Sequence, residues 1–335
     1  MTCRRDDAGT VTGSDTGNLI ATLPGNAAGA PAMFFAAHMD TVEPNPDVNI
    51  IIEGDVIRTD GSTILGADDR SGIAPILEAL TVVVEDGLRH GAVQAVFTVC
   101  EEVGLLGAKH INADLLEASF GYVLDSGPPV GSVVVSAPSQ DSMTVTITGK
   151  PAHAGAEPEK GISAIEVAAR AISKMKLGRI DAETTANIGS IHGGQATNIV
   201  CPEVVMQGEA RSRDARKLAK QVRHMVETFE ESAKQYGAAV TVDLDHQYEA
   251  YRLSRRSQAV TIAAHAAKRL GLAVEFKSVG GGSDANVFNA NGLPACVLGT
   301  AMRSVHTHEE HASIEDLYRS AHLVLAIIEE GARVA

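Results

Sequence analysis

The stretch F-F-A-A-H-M-D-T-V, residues 34–42, decides how this chain is read. Residues 33–37 form an apolar run of the length of a buried strand, and the run stops at His38, Met39 and Asp40. An imidazole and a carboxylate two residues apart thus stand at the C-terminal end of a strand. In open α/β sheets this is the edge where ligands and metals usually bind. An isolated H-x-D is common, so the reading depends on the residues that end the other elements.

Working outward, I-L-G-A-D-D-R-S-G at residues 64–72 precedes Ile73, Ile76, Leu77, Leu80, Val83 and Val84, which fall at helical spacing. Asp68 and Asp69 therefore open a helix, where the dipole favours negative charge. Capping alone accounts for Asp69, whereas Asp68 is assigned to the site. A strong strand at 92–99 ends in Cys100, Glu101 and Glu102, and a shorter apolar run at 121–124 ends in Asp125. Two adjacent glutamates after a buried strand do not look like a solvated face, which would normally mix them with lysines. Strands alternating with a helix predict an α/β fold, a mostly parallel sheet with helices on both faces.

Around residue 137 the pattern changes. Residues 141–149 alternate strictly, as in a half-exposed strand. An amphipathic helix is expected at 162–175, strands at 184–192 and 198–211 joined by a Gly193-Gly194 turn, a long helix at 213–236 and a strand at 238–245. The order β-α-β-β-α-β is the split ferredoxin-like unit. Residues 137–247 are therefore read as an inserted α+β lid domain between two parts of a catalytic domain, 1–136 and 248–335. Residues 1–17 are read as irregular. The last part carries a helix at 259–270, a strand at 273–277, a helix at 284–290 after Gly280-Gly281-Gly282-Ser283, a strand at 294–298 and a closing helix at 314–330.

A length of 335 residues has room for two or three domains. The net charge of −14 argues against nucleic acid or an anionic membrane as a partner. Clustered carboxylates are also what divalent cations need. Cys3, Cys100, Cys201 and Cys296 lie far apart with no C-x-x-C, which fits reduced thiols of a cytoplasmic protein. No apolar h-region opens the chain, and no run approaches about 18 apolar residues, so neither an export signal nor a membrane span is expected.

His38, Asp40, Asp68, Glu101, Glu102, Asp125 and His306 all stand at element ends of the catalytic domain, and none lies in the insert. Two imidazoles and three carboxylates suit two borderline divalent ions, zinc first. One carboxylate can bridge two metals about 3.5–4 Å apart, and Asp68 at its helix start is the natural bridge. Two metals sharing a hydroxide would provide a nucleophile near neutral pH. One of the two glutamates must stay off the metals to move the proton. Asp40 would then accept from the His38 ring and fix its tautomer. The arrangement predicts a two-metal hydrolase.

F-A-A-H-M-D-T-V, L-G-A-D-D-R-S-G, E-E-V-G-L-L-G-A, L-D-S-G and H-T-H-E-E occur in this order across residues 18–332. They resemble the successive motifs of the di-zinc metallopeptidase family that holds peptidase T, aminoacylase and glutamate carboxypeptidase, nearest its peptidase T-like branch. The resemblance implies that His38 and Asp125 complete one metal site around Asp68, and Glu102 and His306 the other. It implies Glu101 as general base and Asp40 as support for His38. Zinc is implied, with cobalt or manganese as alternatives. His306, not His308, fits the family's H-x-x-x-E, with Glu310 as the trailing acid, which leaves His308 and His311 at the surface.

G-K-P-A-H-A-G at 149–155 resembles the family's lid motif, in which the histidine, here His153, polarises the scissile carbonyl. In dimeric members that histidine crosses the interface, so a homodimer through the lid is implied. Asn198 and Arg211 match substrate-gripping positions, and Arg211 would fork onto a peptide carboxylate. Gly280 to Asp284 resembles the loop before a substrate-lining helix. Members usually begin with a helical segment where this chain has a short polar lead, a difference expected to leave apolar surface exposed on the catalytic domain. The implied function is removal of the N-terminal residue from short free peptides, tripeptides first. The same chemistry on N-acyl amino acids or at a C-terminus is the alternative, and a non-catalytic metal-binding protein with this fold is the reading of another class.

Overall fold

The strands that carry the site residues are what bring them together. The computed structural model describes residues 1–333. Its contacts divide the chain into two units, one of Met1–Ser136, Tyr251–Val279 and the residues from Ser283 onward, the other of Ala137–Ala250 with Gly280–Gly282.

In the first unit the strands Val93–Thr98 and Met33–His38 are buried along their whole length. Such unbroken burial suits the middle of a parallel sheet covered on both faces. They lie side by side in parallel, with Gly121–Val123 and Ala295–Leu298 next in the sheet, also parallel. Antiparallel strands flank this middle: Leu19–Leu23 and then Thr2–Arg5 on one side, Ser132–Ala137 on the other. The sheet is thus parallel at its centre and antiparallel at its margins. Residues 1–17, expected to be irregular, instead contribute the edge strand Thr2–Arg5 and the short helix Gly9–Thr12. The edge strand is exposed at every position and carries no alternation, so it forms by pairing with Leu19–Leu23 and left no pattern to read.

Alternation along Met33–His38 sends its side chains to opposite faces. Phe35 stacks on Tyr122 at 5.2 Å, in the core that includes the helices Ala67–Glu85, Gln258–Arg269 and Ile314–Arg333. Phe34 meets Phe288 of the helix Asp284–Ala290 at 4.8 Å. Helices therefore cover both faces, as expected. A small antiparallel sheet runs in the order Met302–Arg303, His311–Ser313, Val56–Thr59, Ile50–Glu53, and His306 lies in the loop between its first two strands. Between the helices Ala67–Glu85 and Ile314–Arg333 lies a groove of about 450 Å³ lined by apolar side chains that include Pro75, Val82, Ile314, Leu317 and Leu325.

The second unit is the expected β-α-β-β-α-β insert. Its strands Thr184–Gly193, Glu203–Ser212, Ser139–Thr148 and Ala239–Tyr248 lie in that order, all antiparallel, with Gly178–Arg179 at one edge. The helix Ala215–Tyr236 starts where Asp214 accepts the N–H groups of Arg216 and Lys217. Two expected boundaries differ. The second strand of the central hairpin begins at Glu203, because residues 194–202 form a long connection and Gly193-Gly194 is no tight turn. The insert also runs past 247, since its last strand extends to Tyr248. Gly280–Gly282 group with it because Gly282 lies against Tyr248, where a Cβ would stand 2.3 Å from the ring.

The four cysteines are free thiols. Among the described residues no helix is long and apolar enough to cross a membrane. Phe35 is fully buried and anchors the shared core. Phe35→Ala should destabilise the metal-free first unit by about 3–5 kcal/mol, read from denaturant unfolding. A change under about 1 kcal/mol would show that the core closes over the loss.

Candidate metal centre

Parallel strands all end on the same edge of a sheet, so neighbours in the order Val93–Thr98, Met33–His38, Gly121–Val123 bring Glu101, Glu102, His38 and Asp125 together. The Ala67–Glu85 helix begins at the same place and adds Asp68 and Asp69, both with non-helical backbone angles and joined by a cis peptide bond.

His38 is buried. Its Nδ1 lies 2.8 Å from the carbonyl of Asp40 and its Nε2 lies 3.1 Å from Asp68 Oδ1. Nδ1–H donates to that carbonyl; in the metal-free protein the Asp68 hydrogen bond keeps a proton on Nε2 as well, and loss of that proton would leave Nε2 as the ligating nitrogen. The expected partner was the Asp40 carboxylate, which is 3.7 Å away. That carboxylate instead accepts the N–H groups of Glu101 at 3.0 Å and Glu102 at 3.1 Å. Asp40 therefore orients His38 with its backbone and the glutamate pair with its side chain.

Asp68 Oδ2 lies 3.3 Å from His306 Nε2, which lies 2.8 Å from Glu102 Oε1. Asp68 thus stands between the two histidines. Ligand atoms of His38, Asp68 and Glu102 fall within 4.8 Å of one another, and so do those of His38, Asp69 and Asp125. The second group corrects the reading of Asp69 as a helix cap. Its side chain makes no cap hydrogen bond and is wholly buried; Oδ2 accepts the His38 N–H at 3.3 Å, and Oδ1 has no partner. In a D-D pair at a helix start, charge alone cannot tell a solvated cap from a buried carboxylate. Asp284 joins the acidic group without having been marked by its sequence context, a Gly-rich loop before a helix. It is buried, accepts from Thr98 Oγ1, and keeps its Oδ1 unpartnered.

The electrostatics ask for a cation. Burial, then the charges of Asp125 and Asp284, holds the Glu101 carboxyl well above its usual range. Burial and the charge of Asp68 push Asp125 up to about 8, and burial lifts Asp284 to about 6. Burial works against a charge on Asp68, but hydrogen bonds from His306 and His38 hold its carboxyl well below the usual range. The Asp68 hydrogen bond raises His306 to about 9. Buried carboxyls that disfavour one another's ionisation, with oxygens left unpartnered, are relieved by a multivalent ion. The residues fit a pair of divalent cations.

The lid residues belong to the second unit. His153 is exposed, and its Nδ1 accepts the N–H groups of Gly155 and Ala156 at 3.2 and 3.1 Å. The ring proton of neutral His153 is therefore on Nε2, facing outward as a donor. Asn198 is exposed in the 194–202 connection, where its carbonyl accepts the Ala154 N–H. Arg211 differs from expectation. Its Nε/NH2 edge is engaged by Glu209, with Nε–Oε1 at 2.9 Å and NH2–Oε2 at 2.8 Å, so that edge is not available to a substrate carboxylate.

Imidazoles and carboxylates gathered at strand ends, with buried acid oxygens left unpartnered, define a metal-dependent hydrolase. The chain belongs to the Peptidase family M20/M25/M40, which it matches over residues 34–330, and it is a metallopeptidase. It is 46% identical over 330 residues to the Bacillus subtilis protein YqjE, covering 98% of this chain and 89% of that one. Its fold superposes on the aminopeptidase PepT of Bacillus cereus with a TM-score of 0.90 at 44% identity, and on a tripeptidase of Staphylococcus aureus with 0.95 at 42%. Each comparison covers 99% of this chain and 89% of the other.

A proton count tests the metal fit. In the metal-free protein at pH 7, Asp125 and His306, with values of about 8 and 9, still hold protons that a cation must displace. Loading with zinc should release protons, and apparent affinity should rise with pH up to about 9. Calorimetric titrations in buffers of different ionisation enthalpy would report this as buffer-dependent heat. Equal heats would contradict it.

Proposed function

We propose that this chain is a cytoplasmic aminopeptidase that removes the N-terminal residue of short free peptides, tripeptides first. The observation that carries the reading is the pair Glu101-Glu102, pinned by Asp40 beside His38, Asp68 and His306 so that one member reaches the ligand cluster and the other is half-buried and feels the charges of Asp125 and Asp284. Relatives named as an aminopeptidase and a tripeptidase at 42–44% identity support the substrate class. The free thiols support the compartment.

His38, Asp68, Asp125, Glu102 and His306 would hold two divalent ions, with Asp68 shared between them and zinc, cobalt or manganese the candidates. When bound, such ions lower the pKa of water and polarise a carbonyl. Glu101 takes the proton of the attacking water and delivers it to the leaving amine. Its raised pKa suits both tasks, since a carboxyl that binds its proton more firmly than usual is the better acceptor from water and can still return it. His153, presenting Nε2–H, donates to the developing oxyanion, and Asn198 grips the peptide backbone. Arg211, held by Glu209, acts on a peptide carboxylate through charge instead of a bidentate fork. A homodimer through the second unit is supported by the exposed apolar side chains Ile165, Ile191 and Leu244 there.

Glu101→Gln should keep the metal content and lower turnover of a free tripeptide about 10²–10⁴-fold. An active Gln variant would remove Glu101 from the base role. The released residue, identified chromatographically, decides the substrate class. Hydrolysis of N-acyl amino acids with none of free tripeptides would replace the aminopeptidase reading by a deacylase.

His153→Ala should lower kcat about 10²–10³-fold, the size of one lost oxyanion donor, and leave metal uptake unchanged. A variant with unchanged kcat would place His153 outside the reaction.

A further inference from the structure

Glu310 takes no part in the chemistry above, yet its side chain is almost wholly buried, with 1% of its surface exposed. Both oxygens are committed to backbone. Oε2 accepts the Gly66 N–H at 2.7 Å and Oε1 accepts the Asp68 N–H at 3.0 Å, across more than 240 residues of chain. The loop so held has little freedom of its own. Gly66 sits at φ +69°, and a Cβ there would meet the Arg70 guanidinium and stand 2.8 Å from Thr41 Cγ2. Arg70 NH1 in turn donates to the carbonyls of Leu65 and Gly66 at 3.0 and 3.3 Å. Amides of this loop are drawn onto Glu310 and its carbonyls onto Arg70.

The other end of the connection is equally fixed. The Glu310 N–H donates to the Thr307 carbonyl at 3.1 Å, one residue past His306, whose φ is +63°. Residue 311 then enters the strand His311–Ser313, which pairs with Val56–Thr59. A displacement of Glu310 would therefore move the His306 loop and the Asp68 loop against each other. His306 Nε2 and Asp68 Oδ2 face one another at 3.3 Å.

We infer that Glu310 is a positioning residue whose carboxylate straps the loop carrying Asp68 to the loop carrying His306, and so sets the gap in which those two side chains share a divalent ion. This rests on the reading that Asp68 and His306 are metal ligands. Only a carboxylate serves the strap. A glutamine of the same shape offers its oxygen to one N–H and turns its own NH2 against the other.

The test compares the wild type with Glu310→Gln as metal-free proteins titrated with Co²⁺ and Zn²⁺, with calorimetry, the Co²⁺ absorption spectrum and metal-free thermal unfolding as readouts. The Gln variant is expected to bind one of two ions at least tenfold more weakly, with an altered Co²⁺ band and a metal-free melting temperature close to wild type. Glu310→Asp, which keeps both oxygens, should recover part of the affinity. His306→Ala should weaken the same ion, and the double variant should lose little more. Wild-type affinity for both ions in the Gln variant would overturn the inference. So would a loss that is fully additive with His306→Ala, or one matched by an equal loss of metal-free stability with an unaltered Co²⁺ band, since these mark a plain fold anchor. If the wild type itself takes up no divalent ion, the metal-centre reading fails first, and that outcome is distinct from wild-type behaviour of the variant.

Discussion

The structure depends on one constraint: several carboxylates must be held close together, out of water, without flying apart. Parallel strand order brings them together for topological reasons, because Val93–Thr98, Met33–His38 and Gly121–Val123 all end on one edge. Burial then makes their charge expensive, which is why Asp125 and Glu101 resist ionisation while Asp68, flanked by two imidazoles, does not. A site of this kind is electrostatically incomplete as a piece of protein and becomes complete with cations.

Backbone amides hold the acids in register. Asp40 takes the N–H groups of Glu101 and Glu102, Asp69 that of His38, and Glu310 those of Gly66 and Asp68. Asp40 and Glu310 thus spend both oxygens, and Asp69 one, on the main chain that carries the others. Charge-assisted bonds of this type are about twice as strong as neutral ones. They also fix position without adding a second cation that would compete for the ligands. The ring of His38 is set in the same way, through a carbonyl.

This division explains what could be read from the sequence. His306 was legible through the order of the motifs and not through periodicity; His38, Glu102 and Asp125 were legible because each follows a strand whose apolar run is plain, and Asp68 because it opens a periodic helix. The sheet centre, the insert and the closing helix were legible for the same reason. What periodicity does not encode is which oxygen meets which amide. The exchange of roles within Asp40, the burial of Asp69 and the engagement of Arg211 by Glu209 all depend on contacts between distant segments or on a rotamer choice. The edge strand Thr2–Arg5 was hidden because every one of its side chains is exposed.

The same logic separates the two adjacent glutamates, which are chemically identical and share one capping carboxylate. Glu102 meets the imidazole of His306 at 2.8 Å, so its charge has a partner, as the proposed ligand role requires. Glu101 has no such ion pair; burial, Asp125 and Asp284 all raise its pKa, and the charge of His38 opposes them less strongly. A ligand must give up its proton for good, whereas an acid–base catalyst must be able to take one back. Two like groups whose surroundings drive them apart in this manner are assigned by environment, not by order in the chain. Asp284 contributes to that assignment without touching Glu101 in sequence or strand: its buried carboxyl, held by Thr98 at the end of the strand that leads to the pair, adds negative field on the side of Glu101. On the proposed reading, this difference in surroundings suits one glutamate to hold a metal and its neighbour to carry a proton.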